Sequence, residues 1–139
     1  MISYRLLIYC LIAGTGYLAL ISFVLDTLER RLRLTADIPP TLLEHDGFGG
    51  AIINLMMEAL FYVLIPTLGY SFFYLVIPFS GVRAGFAGAL LALVIGSAPV
   101  IMRLSVRLKL PMSYLLYIVV SHFLKLAGTL AVIGYLYAL

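Results

Sequence analysis

Three ionisable side chains stand inside long stretches of otherwise uncharged sequence, and they are the residues best placed to do chemistry. Glu58 is the only charged side chain between Gly47 and Val82, and the segment from Leu110 to Leu139 carries only His122 and Lys125. An isolated charge in an apolar medium costs several kcal/mol unless it is paired or hydrogen-bonded. A carboxylate, an imidazole and an ammonium group in such surroundings could relay protons or bind an ion.

Helical spacing predicts that each charge belongs to a polar stripe on one face of its helix. With a rise of about 1.5 Å per residue, Glu58 would lie roughly 12 Å and Lys125 roughly 21 Å from the same end of the helices. Side-chain length and helix tilt could close that gap. The residues of this predicted intramembrane polar cluster are Asn54, Glu58 and Tyr62 in the earlier stretch, and Ser121, His122, Lys125 and Thr129 in the later one.

Four interpretations of the cluster stay open at this point. The first three are a proton or ion relay, a structural network between two helices, and a contact with another subunit. In the fourth, Glu58 lies at the membrane interface. Haem or chlorophyll could use a neutral His122 as a ligand, but a bis-histidine haem needs a second histidine, and His45 lies outside the apolar stretches. We therefore predict no cofactor and no metal, although a pigment or quinone could contact the deeper tyrosines.

Hydropathy defines the elements that carry these residues. Hydrophobic residues make up 64% of the 139 and the mean hydropathy is +1.15, more than a soluble domain of this size can bury. About 20 helical residues cross a bilayer core, and four apolar runs are long enough. We predict an all-α integral membrane protein, four transmembrane helices in an antiparallel bundle, as a single domain. The spans are about 5–25, 51–78, 84–103 and 112–137, with a connection at 26–50.

Basic residues are unevenly distributed over the connections. The first and third connections hold six of the nine Lys and Arg residues, whereas the second connection and the N-terminus hold one each. Because Lys and Arg mark the cytoplasmic side, we predict that connections one and three are cytoplasmic and that both termini lie outside, in a plasma or inner membrane. The first run is longer than a typical signal-peptide core, so we expect a retained helix.

Small residues at four-residue spacing predict close helix packing in two spans. Such faces let helix backbones approach each other in lipid, either within one subunit or between subunits. Pro66 and Pro99 are expected to kink their helices. The predicted packing residues are Ala84, Gly88, Ala92 and Gly96 in the third span, and Ala127, Ala131, Gly134 and Ala138 in the fourth.

The functional prediction follows from these features and from the lack of a recognisable catalytic set. The leading hypothesis is a noncatalytic integral-membrane subunit that stabilises or assembles a larger membrane complex. The alternative is a small oligomeric channel or a proton- or ion-coupled carrier that uses Glu58, His122 and Lys125. An enzyme is the weakest of the three. The expected partners are the lipid bilayer and either other membrane subunits or further copies of this chain, with no nucleic acid.

Overall fold

The computed structural model describes residues 3–33 and 48–139, and every regular element within these ranges is a helix. The helix α1 is Tyr4–Leu32 and α2 covers residues 48–73, whereas α3 is Gly81–Leu108 and α4 is Met112–Ala138. All four helices are long and apolar enough to cross a membrane. The prediction of an all-helical chain with four such helices is therefore confirmed for this part of the sequence. Most of the predicted connection at 26–50 lies outside the described residues.

The ends of α1 and α3 are set by local backbone chemistry. Each helix ends in a basic residue with left-handed backbone geometry, Arg33 with φ 49° and Lys109 with φ 46°. The Arg33 N–H donates to the Glu29 carbonyl, which satisfies one of the acceptors that a helix C-terminus leaves free. Basic side chains in the last turns also interact favourably with the helix dipole. After α3, Pro111 precedes the first turn of α4, where a missing N–H costs nothing.

Two π-helical turns interrupt α2 and α3, and each ends two residues before a proline. In α2 the α-helix Phe48–Ala59 passes through the π-helical turn Leu60–Leu64 into Ile65–Phe73. In α3 the corresponding turn is Leu93–Ser97. A proline cannot donate to the carbonyl four residues earlier and its ring crowds that carbonyl, so a wider turn before Pro66 and Pro99 relieves the conflict. The kink expected at each proline stays a prediction.

Helix α4 is central, since its most extensive contacts are with the first half of α3 and with α1. Backbones of α3 and α4 approach most closely at two glycines. A Cβ atom at Gly85 would overlap the backbone of Leu130 and Ala131, and one at Gly134 would overlap the Gly81 carbonyl. These contacts explain why residues without a side chain occupy both positions.

The interior is built mainly where α1, α2 and α4 meet. Its fully buried side chains are Cys10, Leu18, Val63, Thr67, Thr129 and Ile133. Gly14 of α1 lies against Val63 and Thr129, so the absence of a side chain there brings three helices together. Within the described ranges α2 and α3 share no extensive contact, and the space between these two helices stays open.

The predicted small-residue faces take several positions in this arrangement. Ala84, Ala127 and Gly134 are buried, and Gly88 and Ala131 are partly buried. Ala92, Gly96 and Ala138 are exposed. Gly85 and Ala89, which the sequence analysis did not single out, are also buried, and Gly85 lies against α4.

Candidate functional site

A short ion pair joins α2 to α4 in the middle of the helices. Lys125 Nζ lies 2.6 Å from Glu58 Oε1, and the side chains are 14% and 28% exposed. The other carboxylate oxygen of Glu58 accepts a hydrogen bond of 3.0 Å from Ser22 Oγ on α1. Lys125 Nζ also lies 5.9 Å from the centre of the Tyr62 ring, within the range of a cation–π interaction. Both charges therefore have partners, as the low polarity of the surroundings demands.

His122 is held through both of its ring nitrogens. The Tyr62 hydroxyl is hydrogen-bonded to Nδ1, and the Ser97 hydroxyl to Nε2. A neutral imidazole has one N–H and one lone pair, so one hydroxyl donates to the ring and the other accepts from it. A metal-bearing cofactor that used His122 as a ligand would have to displace one of these hydroxyls.

These contacts form one polar cluster to which all four helices contribute. Its six members are Ser22 of α1, Glu58 and Tyr62 of α2, Ser97 of α3, and His122 and Lys125 of α4. Four of the six were singled out by the sequence pattern as members of the predicted cluster. Ser22 and Ser97 were not, because a serine carries little hydropathic signal and its partner lies on another helix.

The π-helical turn of α3 explains how Ser97 reaches His122. Ser97 lies 12 residues after Gly85, which faces α4. At 100° per residue, regular α-helix would place Ser97 about 120° around the axis from Gly85. A π-helical turn takes up about one extra residue, which reduces the difference to about 20°. The turn that accommodates Pro99 thereby points Ser97 toward α4.

The other residues of the predicted stripes lie apart from the ion pair. Asn54 is exposed, and Thr129 Oγ1 donates 2.7 Å to the Lys125 carbonyl within α4. Ser121 is only 9% exposed, and its Oγ has no hydrogen-bond partner among the described residues. Of the predicted cluster, Glu58, Tyr62, His122 and Lys125 lie together. Asn54 and Thr129 make no side-chain hydrogen bond to these four side chains among the described residues.

Two cavities meet at this cluster. An apolar cavity of about 1080 Å³ lies between α2 and α3 on the side of the α2–α3 connection. A more polar cavity of about 1090 Å³ reaches toward the other two connections. Both are lined by Glu58, Phe61, Tyr62 and His122. Gly88 and Ala92 line the apolar cavity and Gly96 the polar one, so small residues of α3 leave space between the helices.

Removal of the α3 hydroxyl from the cluster is expected to weaken the protein measurably. Ser97→Ala leaves one nitrogen of His122 without its partner, at a cost of about 1 kcal/mol. Thermal unfolding in detergent measures the effect as a fall of a few degrees in Tm. The matched control is Ser105→Ala on the same helix, because Ser105 Oγ donates only to the Met102 carbonyl of its own helix. Equal melting temperatures for the two variants would contradict the role of Ser97.

The described residues thus define an all-helical protein with four helices of membrane-spanning length and a polar cluster that connects them. Comparisons with protein-family models, with curated proteins and with solved structures gave no match. Residues 3–33 and 48–139 contain no group of three or more His, Cys, Asp or Glu side chains that could hold a metal ion.

Proposed function

We propose that the chain is an integral membrane protein whose helices form an antiparallel bundle in a plasma or inner membrane. Hydropathy and the large apolar outer surface support insertion into lipid. The contacts of Gly81 with Gly134, Gly85 with Leu130 and Ser97 with His122 support opposite directions for α3 and α4. The asymmetry of Lys and Arg supports cytoplasmic first and third connections and outer termini.

We propose further that this protein is a small proton- or cation-coupled carrier that works through Glu58, His122 and Lys125. One observation carries the proposal, namely that two cavities extending toward opposite ends of the helices meet at Glu58, Tyr62 and His122. A charged group between two such cavities is accessible from either one after a modest movement of the helices. Intramembrane acids and histidines commonly mark the pathway of protons or ions.

The ion pair supplies a coupling mechanism. Glu58 Oε1 accepts from Lys125 Nζ, and a proton or a cation that reaches this carboxylate competes with the ammonium group. When the competitor wins, Lys125 keeps its proton and loses its counter-ion. Loss of this contact removes a direct link between α2 and α4. Because α2 makes little contact with α3 in the described structure, α2 is the helix whose position the exchange would change.

The experiment is flux in proteoliposomes that contain this chain alone. A pH gradient and an entrapped pH-sensitive dye should report proton movement above that of empty liposomes, and Glu58→Gln should reduce it at least tenfold, because the amide cannot exchange a proton. Ser105→Ala, outside the cluster, is the control. Absence of proton movement from protein that is folded and correctly inserted would contradict a proton-coupled carrier.

A noncatalytic subunit of a larger membrane complex is the second candidate. It is favoured by the wide apolar surfaces that α2 and α3 leave uncovered, for example at Phe72, Leu90 and Ile95. In this case the polar cluster serves to hold the four helices together, and a partner covers the open side. Mass measurement after gentle extraction distinguishes the two candidates, since a stoichiometric partner supports the subunit and a chain that is active alone supports the carrier.

A further inference from the structure

The polar cavity has an excess of negative charge along its lining. Among the described residues, its acidic side chains are Asp26, Glu29 and Glu58, and its only cationic one is Lys125. The ion pair with Lys125 cancels the charge of Glu58. Asp26 and Glu29 make no ion pair within the described part of the chain. The cavity therefore favours a cation over an anion.

A buried hydroxyl in the same cavity supplies an independent sign of a ligand. Ser121 lines the cavity, is more than nine-tenths buried, and leaves Oγ without a partner among the described residues. The Tyr117 hydroxyl, one turn earlier on α4, donates 3.0 Å to the Leu25 carbonyl. A buried polar atom without a partner destabilises the protein, so an N–H donor that binds Ser121 Oγ would recover part of this energy.

The apolar cavity continues from the point where the polar one ends. Apart from Glu58, Tyr62, Tyr70 and His122, the described residues of its lining are apolar, with Phe61, Phe73 and Phe79 providing aromatic surface. A ligand that extends past the residues shared by the two cavities would place its apolar body in the apolar cavity. Its charged group would lie beside Ser121 in the polar cavity. Phe61 and Tyr62 at the junction present aromatic rings, which attract cations.

We propose that the two cavities together bind an organic cation that consists of an ammonium group and an apolar body. The ammonium group lies among Asp26, Glu29 and Ser121, and the apolar body lies between α2 and α3. This inference rests on the proposed carrier function and names the class of its cargo.

Binding of 1-pyrenemethylammonium to the full chain in phosphatidylcholine nanodiscs tests the proposal, with fluorescence anisotropy as the measurement. We expect saturable binding above that of empty nanodiscs, and no saturable binding of the anion 1-pyrenesulfonate. Asp26→Asn combined with Glu29→Gln should weaken the binding roughly tenfold. Ser121→Ala should weaken it about fivefold, because one hydrogen bond is lost, whereas Ser105→Ala should leave it unchanged.

The outcomes separate this inference from the carrier proposal. Equal binding of both probes, or binding that the acidic double variant does not change, would overturn the inference. Proton flux through Glu58 without saturable binding of the amine contradicts only the class of cargo. Saturable binding without flux contradicts the carrier and leaves a binding protein. Unchanged melting temperatures of the variants would exclude loss of folding as the cause of weaker binding.

Discussion

Replacement of Lys125 by methionine is expected to lower the free energy of unfolding in detergent by about 3 kcal/mol. The variant keeps the length of the side chain but removes the ammonium group 2.6 Å from Glu58. Among the described residues Glu58 then retains only the Ser22 hydroxyl as a partner, and a carboxylate in apolar surroundings is costly without a counter-ion. Thermal or denaturant unfolding, followed by circular dichroism, measures the loss.

Two further variants show whether the pair itself is responsible. Arg103→Met removes an exposed cation from α3 and should change the stability by less than about 0.5 kcal/mol. Glu58→Gln combined with Lys125→Met removes both charges and should recover most of the loss, because no buried charge is left unpaired. If the double variant were as unstable as the sum of the single variants, the two residues would not interact energetically.

Insertion of one methyl group at Gly85 is expected to have a similar effect on stability. A Cβ atom there would overlap the backbone of Leu130 and Ala131, and backbone cannot rotate away as a side chain can. The helices α3 and α4 must separate, at a cost of about 3 kcal/mol. The melting temperature of Gly85→Ala in detergent measures the effect.

Gly96→Ala on the same helix is the matched control. No atom of the described residues lies within 4 Å of the position of its Cβ, and alanine favours helix over glycine by up to about 1 kcal/mol in an ordinary helix. We therefore expect unchanged or slightly raised stability. Comparable losses at Gly85 and Gly96 would show that the α3–α4 contact is not as close as described.

The sequence allowed prediction of the four helices and of the charged centre, but not of its full set of partners. Hydropathy locates helices because each must cover about 30 Å of hydrocarbon, and charges such as Glu58 and Lys125 stand out against that background. Which side chains pair across helices depends on the rotation and tilt of each helix. The spacing of residues along one helix gives no information about either. For this reason the pattern pointed to Asn54 and Thr129 and missed Ser22 and Ser97.

The same limit applies to the small residues of α3. Steps of four residues drift by about 40° each on a helix of 3.6 residues per turn, so a row selected in this way does not follow a contact line. The prolines predicted a distortion but not its form. The π-helical turn before Pro99 changes which side chains face α4, and an effect of this kind becomes visible only when the hydrogen bonds are traced.

Cys10 gives the folded chain an internal reporter. It is the one cysteine of the sequence, and its side chain is completely buried in the hydrophobic core. A maleimide reacts with a thiolate that it can reach, so alkylation of the native protein requires α1 to separate from its neighbours. The rate of alkylation therefore reports how often α1 separates from its neighbours. A single cysteine engineered on the surface would be labelled selectively, because Cys10 does not react in the folded protein.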